Sequence, residues 1–322
     1  MEVATTSKIS APPWVAELLA EAGLGSGLQV APLSTSQNKL SKTEIYQILH
    51  GTECVALAKR QLGQDALKRE AAETEACITA ASVFADCEGM SAPDVLAVRR
   101  DGGFLLRALV GTPANLAFSR SDRALRSEQI RRVAYALGIL HRSEPVSMAP
   151  YTLGKRILRV RMRLKHFREN PPNWEPGWTD VMYRLACHAL TKYDSISGKM
   201  RCQTVQHGDL TPGNILINSH HVGLVDFEHF GRNWQVNDAA TLLDRLTMLC
   251  PFKGVQMSNN VMFDPADVSA FAEGYGEDPT THKEFDVFAC FELVARIFAA
   301  AERQSKEPLL LLRTAKRALN VC

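Results

Sequence analysis

The stretch HGDLTPGNILI, residues 207–217, places polar groups immediately before a run that must be buried. Asp209 precedes a Pro-Gly turn, and Asn214 lies five residues after that aspartate. Asp226 ends the next apolar run, VGLVDF, twelve residues beyond Asn214. The two apolar runs, separated by SHH, predict a short β-hairpin. This pattern therefore presents two carboxylates and one amide at the same rim of a rigid element.

Phosphoryl transfer requires such a set of side chains. One Asp orients the attacking hydroxyl and accepts its proton, while an Asn and a second Asp hold Mg²⁺, a hard ion that prefers oxygen ligands. Positioning and charge screening then provide most of the catalysis. An Asp or an Asn alone more often only shapes a turn, but the combination at this spacing predicts a phosphotransferase site.

The elements that position this set begin with a β-rich part, residues 28–107. Its predicted elements are a hairpin of runs 44–49 and 54–58, an Ala- and Glu-rich helix at 65–82, and a second hairpin at 93–111 that turns at 101–103. A helix opened by proline precedes it at 12–22, and the glycine-rich run 23–27 ends that helix. The glycine-rich run does not follow a strand, so it is not expected to bind phosphate.

The second part of the chain is predicted to be mainly helical and follows a connector at 106–111. Ile130, Val133, Leu137 and Leu140 form one apolar stripe at helical spacing, and similar patterns recur up to residue 319. The hairpin at the polar cluster is the one β signal identified in this half. We therefore predict an α+β, bilobal organisation that divides between residues 107 and 108.

Bulk composition restricts the class of protein. The chain has 322 residues, 46% hydrophobic and 22% charged, with a formal net charge of +2, so it suits a globular protein and no nucleic-acid partner is expected. Eight scattered cysteines without a CxxC pair favour free thiols in a reducing compartment. There is no signal-peptide pattern and no apolar run of the roughly 20 residues that span a bilayer. We expect a cytoplasmic protein.

The segments HGDLTPGNILI and GLVDFE resemble the catalytic and metal-binding segments of the aminoglycoside phosphotransferase and choline kinase-like branch of the protein-kinase-like fold. The resemblance implies a bilobal fold, with residues 1–107 as nucleotide-binding lobe and 108–322 as catalytic and substrate-binding lobe. It implies that Asp209 is the catalytic Asp and that Asn214 and Asp226 bind Mg²⁺.

The resemblance extends to three supporting residues. Glu228 would support the metal shell, and His207 would hold the catalytic loop rather than transfer protons. Asp238 would anchor that loop from the following helix; the alternative is that it only caps this helix.

The small lobe of this family supplies a Lys for the nucleotide phosphates and a Glu that orients it. The strand CVALAKR makes Lys59 the expected cation, with Arg60 as the alternative. Neighbouring strand residues face opposite sides of the sheet, so only one of the two can face the cleft. In the following helix, LKREAAE makes Glu70 the expected partner, with Glu73 as the fallback one turn away.

Nucleotide contacts are also implied by the resemblance. The region 33–46 corresponds to the family's phosphate-covering hairpin but lacks glycine, and Ser36 and Asn38 could donate hydrogen bonds instead. The connector would pass behind the adenine, with the backbone of Arg107 and Leu109 reading the base.

The sequence leaves two functions from different classes open. The first is an enzyme that uses ATP, or alternatively GTP, with Mg²⁺ to phosphorylate a hydroxyl of a small molecule such as an antibiotic, sugar, nucleoside-like compound or amino alcohol. The second is a pseudokinase, a nucleotide-binding scaffold that presents the basic segment 155–168 to a partner. The complete set of catalytic residues favours the enzyme, and the glycine-free hairpin favours the scaffold.

The charge pattern bears on the acceptor. The basic segment 155–168 favours a neutral or anionic acceptor over a polycationic aminoglycoside, because opposite charge drives capture. Acidic residues in the last third leave an acidic pocket open as an alternative: Asp264, Asp267, Glu273, Glu277 and Asp278. Trp174 and Trp178 either line an acceptor pocket or fix their own loop to the core.

Overall fold

The computed structural model describes residues 11–25, 27–38, 41–170, 177–249 and 263–302. The chain forms two compact units: unit 1 comprises Met1–Thr112 and Leu216–Phe230, and unit 2 comprises Pro113–Ile215 and Gly231–Cys322. This division differs from the predicted boundary in assigning a later segment, Leu216–Phe230, to unit 1. The reason is strand pairing, since Val222 in that segment lies opposite Met90 in a parallel ladder.

Unit 1 carries most of the strands. Its elements are α1 (Pro13–Glu21), β1 (Leu28–Asn38), β2 (Ser41–His50), β3 (Glu53–Leu62), α2 (Ala66–Phe84), β4 (Met90–Ser91), β5 (Val95–Val98), β6 (Phe104–Arg107) and β11 (Val222–Leu224). The chain passes between the units within β7 (Thr112–Pro113) and β10 (Ile215–Ile217). One sheet is antiparallel, with the order β1-β2-β3-β6-β5. A second sheet has the order β4-β11-β10-β7.

Helix α1 covers one face of the five-stranded sheet. Its buried residues Trp14, Val15 and Leu18 join a cluster with Ile48 and Leu105 from the strands. The turn between β5 and β6 depends on glycine at 103, which has a φ of +97° and would place a Cβ atom 2.9 Å from the Trp14 ring. Another residue would be strained in this left-handed conformation and would also displace the ring.

Unit 2 is mainly helical. Its elements are α3 (Ala114–Arg120), α4 (Arg123–His141), β8 (Ser147–Pro150), α5 (Gly154–Glu169), α6 (Trp178–Ile196), β9 (Met200–Gln206), a 3₁₀ turn (Pro212–Asn214), β12 (Gly231–Trp234), α7 (Asn237–Leu249), α8 (Pro265–Tyr275), a second 3₁₀ turn (Pro279–Thr281) and α9 (Lys283–Glu302). Among the described helices, none has the length and apolar content needed to cross a bilayer.

The part of the chain after residue 107 was predicted to contain one hairpin as its only β-structure. That prediction was wrong, because β12, β9 and β8 form a further antiparallel sheet in that order. The strands escaped detection because two core positions of β9, Thr204 and Gln206, are polar although they are buried. Apolar alternation, the usual strand signal, is therefore missing.

Helices α4 and α8 pack closely in unit 2. A Cβ atom at Gly274 would lie 2.0 Å from the Arg131 carbonyl oxygen, so glycine permits this approach. A buried ion pair joins the same helices, with Arg126 Nε 3.0 Å from Asp267 Oδ1. These contacts hold the first half of α4 against α8, and the last residue of α4, His141, belongs to the candidate site.

Candidate functional site

In unit 1, the side chain of Lys59 lies between two carboxylates. Its Nζ atom is 2.7 Å from Glu73 Oε1 and 2.7 Å from Asp226 Oδ1, and the residue is only 8% exposed. Burial alone lowers the pKa of Lys59, but the two carboxylates outweigh it and raise the pKa above its ordinary value. Lys59 is therefore a fixed cation, well suited to bind phosphate oxygens.

The two candidate cations of β3 lie in different surroundings. Lys59 points into the carboxylate pair, whereas the guanidinium of Arg60 lies 5.9 Å from the centre of the Trp14 ring. This is the alternation expected of neighbouring residues in a strand. Lys59 as the phosphate-binding cation of β3 stays a prediction, and its contacts with two carboxylates are consistent with it.

The predicted partner of Lys59 was wrong. Glu70 does not contact Lys59: its Oε1 accepts a hydrogen bond from the Gln61 N–H at 2.6 Å, and its Oε2 accepts one from the Gly103 N–H at 2.9 Å. Glu70 lies near the start of α2, beside the β5–β6 turn, and Glu73, about one turn further along the helix, reaches the lysine. Glu73, the fallback, is the observed partner.

Three carboxylates converge at this point. Ligand atoms of Glu73, Asp226 and Glu228 all lie within 4.8 Å of one another. Burial raises the pKa of Glu73 and the carboxylates of Asp226 and Glu228 add to this effect, while Lys59 opposes it. Asp226 has a left-handed backbone, with a φ of 68°, which Asp tolerates better than most residues. The sequence predicted Asp226 as a metal ligand, Glu228 as support of the metal shell and Glu73 as the fallback partner of Lys59.

In unit 2, Asp209 and Asn214 are joined within one loop. Asn214 Nδ2 donates to the Asp209 carbonyl oxygen at 2.9 Å and to Asp209 Oδ2 at 3.3 Å. Because the amide nitrogen serves the loop, the amide oxygen of Asn214 is the atom suited to a cation. Carboxylate and amide oxygens are the donors that Mg²⁺ prefers, so Asn214 and Asp226 fit this ion by donor type.

Asp238, in the first turn of α7, holds the backbone that precedes Asp209. Its Oδ2 accepts a hydrogen bond from the His207 N–H at 2.6 Å, and its Oδ1 accepts one from the Gly208 N–H at 2.9 Å. Asp238 is 1% exposed. Burial would raise its pKa, but hydrogen bonding to His141 and the loop N–H groups keeps the pKa below its ordinary value. Asp238 therefore does more than cap a helix.

His141, at the end of α4, was not identified from the sequence. Its Nε2 lies 3.1 Å from Asp238 Oδ2, and its Nδ1 lies 2.8 Å from the Tyr275 hydroxyl and 3.1 Å from Gln206 Nε2. Since an amide nitrogen can only donate, Nδ1 accepts and Nε2 carries the proton towards Asp238. The available signal was a histidine at the end of an apolar helix stripe, which is not specific.

The remaining predicted contacts lie in or beside the first sheet. Ser36 and Asn38 belong to β1, but their side chains lie outside the described part of the structure. The Arg107 N–H donates to the Asp94 carbonyl at 2.8 Å, so Arg107 could offer a base only its carbonyl oxygen. Within the described residues, the Leu109 N–H has no backbone acceptor. Trp174 and the side chain of Trp178 also lie outside the described residues.

The two glutamates of α2 should separate in experiment. Glu73→Gln removes the charge that positions Lys59, and we expect a large fall in turnover if Lys59 binds nucleotide. Glu70→Gln replaces one of two accepting oxygens with an NH₂ group, leaving a buried backbone N–H unpaired at a cost of about 1–3 kcal/mol. We therefore expect a lower melting temperature and near-normal turnover.

Calorimetry and initial rates, measured where both variants are folded, test this separation. A larger rate loss in Glu70→Gln than in Glu73→Gln would contradict it and restore the partner predicted from sequence.

A protein-family model matches most of this chain. The model of a phosphotransferase enzyme family, APH, matches residues 56–285, more than half of the chain. No curated protein sequence matches.

Solved structures match over nearly the full length. The GDP and kanamycin complex of APH(2″)-IIIa has a TM-score of 0.63 at 13% identity, covering 94% of this chain and 98% of that one. The streptomycin–ATP–APH(2″)-IIa complex has a TM-score of 0.59 at 13% identity, covering 96% and 99%. A choline/ethanolamine kinase family protein from Mesorhizobium loti has a TM-score of 0.58 at 16% identity, covering 94% and 97%. At such identities the likeness shows the fold alone.

Proposed function

The chain belongs to the phosphotransferase enzyme family, and we propose that it transfers the γ-phosphate of ATP to a hydroxyl group of a small molecule. The family and the protein-kinase-like fold predicted from the sequence are confirmed. The observation that carries the proposal is the buried Lys59, held as a cation between Glu73 and Asp226. Such a cation, fixed before any ligand binds, suits the recognition of phosphate groups.

Each member of the proposed site has a distinct task. Asp209 accepts the proton of the acceptor hydroxyl while that oxygen bonds to the γ-phosphorus and the bond to ADP breaks. Lys59 binds the phosphates that become ADP, and Glu73 orients Lys59. Asn214 and Asp226 supply oxygen ligands for Mg²⁺, which when bound screens the phosphate charge.

The surroundings supply orientation and nucleotide contacts in this proposal. Asp238 holds the backbone that carries Asp209, so the proton acceptor is fixed in position before the reaction. The Arg107 carbonyl and the Leu109 N–H read the base, and Ser36 and Asn38 donate to the phosphates. One of the similar solved structures contains GDP and another contains ATP. The test therefore compares ATP with GTP as phosphate donor.

For the acceptor, we propose a neutral or anionic hydroxylated compound rather than a polycation. The acids that offered an alternative acidic pocket already have partners within unit 2. Asp264 and Asp278 cap the elements that follow them, Asp267 pairs with Arg126, Glu273 with Arg131 and Glu277 with His282. Acids engaged in this way already have a partner for their charge or hydrogen bonds, so they attract several ammonium groups less strongly than unpaired acids would.

The test combines purified protein, Mg²⁺, and ATP or GTP with a panel of aminoglycosides, neutral and acidic sugars, nucleosides and amino alcohols. We expect phosphorylation of a neutral or acidic member and faster turnover with ATP. Turnover of aminoglycosides alone would refute the acceptor class while leaving the phosphotransferase intact. Nucleotide binding without transfer to any member would instead support the pseudokinase, which the glycine-free region 33–46 favours.

A further inference from the structure

Helix α5 of unit 2 carries an unusual concentration of positive charge. Seven of its side chains are Lys or Arg, whereas Glu169 is its only acid. The whole chain has a formal net charge of only +2, so this density is local. The proposed reaction uses none of these cations as a site residue, although their summed charge favours a neutral or anionic acceptor.

The helix divides its cations between two faces. Ile157 and Val160 are buried, and on that side Arg156 pairs with Glu292 while Arg163 pairs with Glu302. The other five cations have no ion pair with any described residue: Lys155, Arg159, Arg161, Lys165 and Arg168. All five are exposed. Among the residues that the structure describes, ion pairing is thus confined to the inner side of α5.

Two apolar side chains occupy the middle of the outer face. Leu158 is 60% exposed and Met162 is 62% exposed. They are four residues apart and therefore neighbours on the helix surface. At 3.6 residues per turn, Lys155 and Arg159 fall on one side of this apolar pair. Three cations fall on the other side: Arg161, Lys165 and Arg168.

We propose that this outer face of α5 binds the surface of an anionic membrane. The two apolar side chains would enter the boundary between headgroups and acyl chains, and the long basic side chains on both flanks would reach the lipid phosphates. Clusters of four to eight basic residues on an amphipathic helix bind anionic lipids in this way. The helix lies on the membrane without crossing it.

The size of the apolar pair favours a membrane over an acidic protein. Stable protein partners cover about 800 Å² on each side with matched shapes, whereas α5 presents a ridge of two side chains. An anionic bilayer requires no matched shape, because its mobile lipids gather around the cations. Cations on both flanks also suit a flat surface that extends past the ridge.

Co-sedimentation of the full chain with vesicles tests the proposal. We expect binding to an equal mixture of phosphatidylcholine and phosphatidylglycerol, and none to phosphatidylcholine alone. Reversing one cation on each flank, Arg159→Glu with Lys165→Glu, should weaken binding by about tenfold or more. Leu158→Gln with Met162→Gln should abolish the binding that persists in high salt, because salt screens charge but not apolar insertion.

A matched charge reversal elsewhere, Lys68→Glu with Arg100→Glu, is the control, since both residues are exposed and lie outside α5. It should bind vesicles as the unaltered protein does. Equal loss in this control would show that net charge, not α5, is responsible. Failure to bind anionic vesicles would overturn the proposal, as would binding that survives the α5 reversal. Binding to polyglutamate or duplex DNA but not to vesicles would equally overturn it. Circular dichroism on each variant confirms that it is folded.

Discussion

Asp209→Ala is expected to reduce phosphoryl transfer by about 10²–10⁴-fold, the usual contribution of a positioned proton acceptor. The fold should survive, because the Asp209 carboxylate is only partly buried and its described bond is a 3.3 Å contact from Asn214. Nucleotide affinity should change little, since the proposal assigns phosphate binding to other residues. Initial rates with the best acceptor, nucleotide titration by calorimetry and a melting curve measure the three quantities.

Asp286→Ala provides the matched control. Asp286 is an exposed aspartate of unit 2 that pairs with Lys192, so its loss should leave all three quantities nearly unchanged. If Asp209→Ala keeps clearly more than about a hundredth of the original rate, the smallest loss expected for such a group, Asp209 is not the proton acceptor. The phosphotransferase could then still operate with another base.

Asp226→Asn should raise the Mg²⁺ concentration needed for half-maximal activity by at least about tenfold, because a charged oxygen ligand becomes neutral. Asparagine keeps an oxygen for the Lys59 ammonium, which lies 2.7 Å from Asp226 Oδ1, so unit 1 should remain folded. The Mg²⁺ dependence of nucleotide binding, followed by calorimetry, gives a second readout that does not rely on turnover.

Asp101→Asn is the control for this substitution. Asp101 is exposed and contacts Arg99, so its Mg²⁺ curve should match that of the unaltered protein. Overlapping curves for Asp226→Asn would remove Asp226 from the metal site. A shift in the rate curve alone, with unchanged Mg²⁺-dependent nucleotide binding, would point to an effect on Lys59 instead.

The sequence predicted the parts of the fold whose signals are local. The helices α2 and α4 have strong composition or apolar spacing, and the β5–β6 turn has an Asp-Gly-Gly signal, so each was found near its observed position. The small sheet of β8, β9 and β12 was missed. Its central strand buries Thr204 and Gln206 for hydrogen bonding, and periodicity cannot distinguish such buried polar groups from exposed ones.

The difference between local and tertiary signals also explains which residues of the candidate site could be predicted. Asp209, Asn214 and Asp226 are visible because the motif is contiguous in sequence. The choice between Glu70 and Glu73 depends on how α2 lies on the sheet, and a backbone N–H group at Gly103 takes the glutamate that the sequence assigned to Lys59. No local pattern contains that information.

Similar reasoning applies to the network behind Asp209. His141, Gln206, Asp238 and Tyr275 come from four elements spread over more than a hundred residues. Each alone is an ordinary polar residue, and only tertiary packing brings them together. Such networks are found from a structure because hydrogen bonding of buried groups is nearly obligatory.

The discontinuity of unit 1 has a consequence for biosynthesis. Its last piece, Leu216–Phe230, follows Pro113–Ile215, which is more than half of unit 2. On the ribosome, Lys59 therefore emerges 167 residues before Asp226, its partner, and until then only Glu73 is available to it. The entropic cost of closing a loop grows only with the logarithm of its length, so the long separation between Lys59 and Asp226 adds little to the free energy of their pairing. The nascent chain can therefore complete its first unit only after more than half of the second has been translated.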